Sequence, residues 1–168
     1  MTKKLGTIIA AASLAVVSVV IGFSSNSTAQ TSAAEAVERR IKLMRTMGKS
    51  FGPIVAIAKG ESTDLAAAGD AAEMMHEAMK ESATLFLEGT AKADVPGSRS
   101  RPEVWTKRDE FDTAAEALIK ASGDIAAAAR AGDLDGFKSL VRPLGAACGG
   151  CHEGKGRAGG KFRFPKDG

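Results

Sequence analysis

Near its C-terminus the chain reads Cys148-Gly149-Gly150-Cys151-His152, and these five residues constrain the fold more than any other stretch. On a helix the offsets i, i+3 and i+4 bring both thiols and the imidazole to one face. A C-x-x-C-H pentapeptide of this kind is the attachment signature of a c-type haem. The two sulfurs bond to the macrocycle, and the histidine lies beside the iron as an axial ligand. One haem (haem c, covalently attached) is therefore expected, held by Cys148, Cys151 and His152. The rest of the chain has to cover the opposite face.

Other uses of these residues fit less well. A structural zinc site takes about four protein ligands, whereas the chain has only these two cysteines and one further histidine, His76. A thioredoxin-like pair needs an exposed thiolate at the start of a helix, but Leu134 to Leu144 reads as the run-up to a helix end. A disulfide across three helical residues would be strained.

At the other end, Lys3 and Lys4 precede an uncharged stretch from Leu5 to Phe23 and then Ser27, Thr28 and Ala29. This is the order of a secretory signal, with cleavage expected after Ala29. The apolar run is long for a signal and close to a membrane span, so an uncleaved anchor is the alternative. Either way the domain is placed across a membrane, in the periplasm. Residues 30–168 then form one domain, ending in a basic tail with Lys155, Arg157, Lys161, Arg163 and Lys166. The formal net charge of +3 gives no sign of a nucleic-acid partner. A basic tail is usually solvated, although next to a haem edge it could steer an acidic redox partner.

Between the ends the apolar residues recur at helical spacing. Ala34 to Lys59 carries Val37, Ile41, Met44, Phe51, Ile54 and Val55 on one stripe, with a kink expected at Pro53. Gly60 stops it, and the Ser62-Thr63-Asp64 cluster caps a second helix reaching about Leu87. A loop rich in Gly, Pro and Ser follows from Gly89 to Arg101. A third helix is expected from Pro102 to about Arg130. Gly132 ends it, and Asp133 caps a fourth that buries Leu134, Phe137, Val141, Leu144 and Cys148, with a distortion at Pro143. The fold class is all-α, an antiparallel up-down-up-down four-helix bundle.

That connectivity places the haem at one end of the bundle, within reach of Met44, Met47, Met75, Met79, Phe86 and Trp105. His76 shares a face with Glu73 and Lys80, which points it to solvent. Met44 lies on the buried stripe and approaches the face opposite His152, with Met79 and Met47 behind it as alternatives. A methionine at such spacing also serves as core filler. Arg40, one turn earlier, pairs with a haem propionate or lies along the surface.

The segment Arg40-Ile41-Lys42-Leu43-Met44, with Gly48 and then AIAKGE from Ala56 to Glu61, resembles the first helix of the class II c-type cytochromes, the cytochrome c prime family. Pro102 to Trp105 with Phe111 and Asp112 resembles the start of that family's third helix, and Gly145 to Glu153 its haem segment. The resemblance implies an exported bundle that is not an enzyme, with one covalent haem, redox partner proteins and, in many members, a homodimer. In one branch a methionine of the first helix binds the iron and the protein carries electrons. In the other an apolar side chain covers a five-coordinate iron that binds nitric oxide or carbon monoxide. The resemblance puts Met44 at the ligating methionine and Arg40 at the propionate arginine, favouring the one-electron carrier. The chain departs from the family after the histidine, where Gly154, Gly159 and Gly160 precede a late Phe162 and Arg163. The last helix is expected to fray there.

Overall fold

Ser32 opens the first helix, α1 (Ala33–Lys59), with a reciprocal cap. Its hydroxyl accepts the Glu35 N–H at 3.2 Å, and the Glu35 carboxylate accepts the Ser32 N–H at 2.9 Å. Two donors that a helix start leaves unpaired are thereby satisfied. A computed structural model describes residues 32–152 and 159–165. The expected signal, residues 1–29, lies outside them, as do residues 153–158 and 166–168 of the tail.

Gly60 ends α1 in the left-handed region, φ 74°, where a Cβ would be strained. Asp64 then caps α2 (Leu65–Thr84) by accepting the Ala67 N–H at 2.9 Å. This helix is shorter than the pattern suggests and stops before Leu87. The third helix is divided into a single turn, α3 (Glu103–Thr106), and a long α4 (Arg108–Arg130), separated at Lys107 with φ −127° and ψ 50°. Trp105 holds α3 in place by donating its indole N–H to the Phe86 carbonyl at 3.1 Å. Asp133 caps α5 (Leu134–Cys151), taking the Gly136 N–H at 2.8 Å.

Neither proline at which a kink, a lost hydrogen bond or a distortion is expected ends its helix: α1 continues through Pro53 and α5 through Pro143. Both prolines are exposed, so the carbonyl each deprives of a partner can turn to water. Leu134, expected in the core, is 43% exposed because it begins α5 at the open end of the bundle.

The helices form an antiparallel four-helix bundle, in which α1 packs along α2, α2 along α4 and α4 along α5, while α1 meets α5 sparsely. The pairings show the direction. Gly69 approaches Ala129 and His76 approaches Ile119, so residue numbers fall on α4 as they rise on α2. The main core takes Leu43, Met47 and Ile54 from α1, Met75 and Met79 from α2, Leu118 and Ile125 from α4, and Phe137 and Leu144 from α5. Burying each such side chain contributes about 1.5–3 kcal/mol. A second cluster at one end joins Val104, Phe111 and Phe162, flanked by Phe86, Trp105 and Cys151.

The segment expected as a loop, Gly89 to Arg101, is tightly held. Thr90 and Ser98 are buried within it, and both bond to the Arg40 guanidinium. No helix of the described residues is long and apolar enough to cross a membrane.

Candidate haem site

The last turn of α5 brings the two cysteines to the junction of both apolar clusters. Cys148 packs against the main core and Cys151 against the aromatic cluster at the bundle end. Both thiols are free, and burial raises the pKa of each, Cys151 to about 11. They are therefore protonated at neutral pH, the form that a thioether linkage consumes.

His152 departs from the expected geometry. The helix ends at Cys151, and His152 is the C-cap with extended backbone, φ −149° and ψ 133°. Its N–H still reaches the Cys148 carbonyl, at 3.4 Å. The imidazole is half-buried and its Nδ1 has no hydrogen-bond partner. Burial first, then the charges of Arg163 and Arg99, lower its pKa below the usual 6.5. A neutral ring with an unsatisfied buried nitrogen suits a metal ligand. Among the described residues no cluster of three or more His, Cys, Asp or Glu competes as a metal site.

Helix register places Met44. Gly145 of α5 faces Phe51 of α1, the ring Cζ lying 3.8 Å from where a Cβ would stand on Gly145. The two helices run antiparallel. Met44 is seven residues before Phe51 and His152 seven after Gly145, so both lie about 10 Å along the bundle from that contact, at the same level. Met44 is half-buried at the edge of the core, whereas Met47 and Met79 are 6% and 2% exposed within it.

Arg40 is neither on the surface nor free. Its Nη1 donates to the Leu85 carbonyl at 3.1 Å and Thr90 Oγ1 at 2.8 Å, and its Nη2 to the Thr90 carbonyl at 3.0 Å and Ser98 Oγ at 3.4 Å. Burial lowers its pKa to about 10, which leaves it charged at neutral pH. His76 also differs from expectation. It turns toward α4 and its Nδ1–H donates to the Ile119 carbonyl at 2.8 Å.

Sequence reasoning missed the part played by residues 159–165. Phe162 is 3% exposed, and its N–H donates to the Cys151 carbonyl at 3.1 Å. Its ring meets Phe111 edge-on, centroids 5.4 Å apart. Phe162 and Phe164 among glycines and charges offer no helical periodicity to reveal the contact.

A helical bundle with a C-x-x-C-H turn at one end, its two thiols free and its half-buried histidine carrying a buried Nδ1 without a partner, defines a c-type haem protein. The family model described as Cytochrome C' matches residues 35–154. A cytochrome c-556 of Rhodopseudomonas palustris is 36% identical over 125 residues, covering 70% of this chain and 79% of that protein. Cytochrome c' of Rubrivivax gelatinosus superposes with a TM-score of 0.67 at 29% identity, over 78% of this chain and 96% of that one. A ferrous variant of cytochrome c prime from Alcaligenes xylosoxidans with bound NO gives 0.67 at 25% identity, over 82% and 99%. A carbon monoxide-bound variant of the same protein gives 0.66 at 26%, over 79% and 97%. The chain belongs to the cytochrome c' family, whose members carry one covalently bound haem c.

Proposed function

We propose that Cys148 and Cys151 anchor the haem, that His152 binds its iron, and that the position on the Met44 side takes nitric oxide or carbon monoxide. Bound there, the haem supplies an iron centre that can hold a diatomic gas or exchange one electron. The structures with NO and CO support the gas reading. So does the setting of Met44, a flexible apolar side chain at the edge of the core and level with His152. It can cover the open position and yield to a small molecule. His152, neutral and half-buried, is ready to bind metal without first losing a proton. No substrate bond is made or broken.

One observation favours a second reading. Met44 stands level with His152, and its thioether could serve as an iron ligand instead of a cover. His/Met ligation raises the haem potential, and the chain would then be a one-electron carrier docking briefly with redox partner proteins. In both readings it works in the periplasm, where the family is typically found, and a homodimer would be in keeping with the family.

The reduced absorption spectrum with and without carbon monoxide decides between the two. A high-spin spectrum that shifts at once on adding the gas is expected. A low-spin spectrum that barely changes overturns the gas reading and selects the carrier. In that event Met44→Ala should produce the high-spin, gas-responsive form.

A further inference from the structure

The family match ends at residue 154, yet residues 159–165 are fastened to the haem end from three directions. Toward α5, the Phe162 N–H bonds to the carbonyl of Cys151, the residue directly before His152. Toward the α2–α3 connection, the Phe162 carbonyl accepts the Arg101 N–H at 3.0 Å, and the Phe164 N–H bonds to the Arg99 carbonyl at 2.8 Å. Ser100 and Arg163 form an antiparallel bridge, and Arg99 Nη2 returns to the Phe164 carbonyl at 2.8 Å. Toward α4, Phe162 packs on Phe111 and Lys161 pairs with Glu110.

Ordering a segment that holds two glycines costs entropy that these contacts must offset. They act together on one place, the turn at which α5 ends and His152 begins. The backbone of Cys151, directly before His152, is tied to Phe162.

We propose that Gly159–Pro165 is a strap closing the His152 side of the haem site, with Phe162 as its latch, so that a small ligand reaches the iron from the Met44 side alone. The proposal rests on the gas reading for its consequence and on the backbone bonds for its geometry. Phe162 is a positioning residue: it holds the Cys151–His152 turn and fills the space beside it, without itself binding the gas.

The test uses the reduced haem-loaded chain with nitric oxide, read by electron paramagnetic resonance. In the parent, the signal should show splitting by a ring nitrogen of His152, retained opposite the gas. In Phe162→Ala that splitting should be lost from a large share of the molecules, and Phe162→Leu should restore most of it. A parent without the splitting, or a Phe162→Ala protein indistinguishable from the parent, overturns the strap. Should the parent bind no nitric oxide, the gas reading fails and the strap is read by amide hydrogen exchange. Phe162→Ala should then speed exchange at Arg101, Phe162 and Phe164 by about tenfold or more while the α2 and α4 amides hold. Unchanged exchange at these three positions overturns it.

Discussion

Gly145 of α5 faces the ring of Phe51 on α1, and this contact sets the level at which Met44 and His152 stand across the bundle. With 3.8 Å to the ring, a Cβ at Gly145 would be in ordinary contact. Gly145→Ala should therefore stabilise the chain by about 0.5–1 kcal/mol, because alanine loses less backbone entropy in a helix. Gly145→Leu should instead push α1 from α5 and enlarge the spectral change on adding carbon monoxide. Chemical melts and gas titration of the two variants check both outcomes.

Gly69 offers no such room. A Cβ there would lie 2.6 Å from the Cβ of Ala129, so α2 and α4 approach closely because that position has no side chain. Gly69→Ala should cost about 1–3 kcal/mol as the helices are forced apart. Adding Ala129→Gly should recover part of the loss despite glycine's own penalty. A favourable coupling in the double-mutant cycle of urea midpoints is the expected result.

How much of this was open to a reader of the sequence depended on whether the signal was local. The stops at Gly60 and Gly132 and the caps at Asp64 and Asp133 follow from backbone chemistry within a few residues, and all four are found. The C-x-x-C-H stretch likewise carries its own meaning. His76 was misplaced because its surroundings belong to another helix. Glu73 and Lys80 suggest an outer face, but Gly123 of α4 leaves space for the ring, a Cβ there coming within 3.2 Å of Nδ1. The strap was hidden for the same reason, since its partners at residues 99–101, 110 and 111 are distant in sequence. At Pro53 and Pro143 the sequence shows the missing N–H but not that both positions face water, where the lost hydrogen bond is cheaply replaced and the helix continues.

Acid should weaken the bundle through carboxylates that the fold holds in their charged form. Glu81 lies below its ordinary 4.5, chiefly through its hydrogen bonds to Arg39, and Glu35 does so through the Ser32 backbone and hydroxyl. For groups depressed in this way the unfolded chain binds protons first as the pH drops. Their stabilisation is complete above 4.5 and is lost as the pH falls through the lowered values. His152, held neutral by burial, should begin to lower the urea midpoint as the pH falls below 6.5, and the carboxylates should steepen the decline below about pH 5. Glu81→Gln should make the decline shallower, which a pH series of melts on the two proteins measures.

Arg40 offers the sharpest separation between holding the fold and holding the haem. Its two Nη atoms serve four acceptors across residues 85–98, and its guanidinium lies 4.4 Å over the Phe86 ring. A lysine has three donors at a single point and cannot reproduce that planar fork. Arg40→Lys should leave at least one acceptor unpaired, the Leu85 carbonyl foremost, since the Thr90 carbonyl keeps the Ser98 hydroxyl at 2.7 Å, at a cost of about 1–3 kcal/mol. Residues 99–101, which anchor the strap, continue directly from the segment Arg40 holds. Faster amide exchange should therefore appear at Ala91 and Ser98 and extend to Arg101 and Phe162. If anchoring that segment is the whole of Arg40's task, the reduction potential of the haem-loaded protein should stay where it was. A shifted potential beside the same loss of stability would give Arg40 the propionate contact that the family resemblance implies, because exchanging a fixed guanidinium for a mobile ammonium at the haem edge moves the charge and changes the relative energies of the two oxidation states.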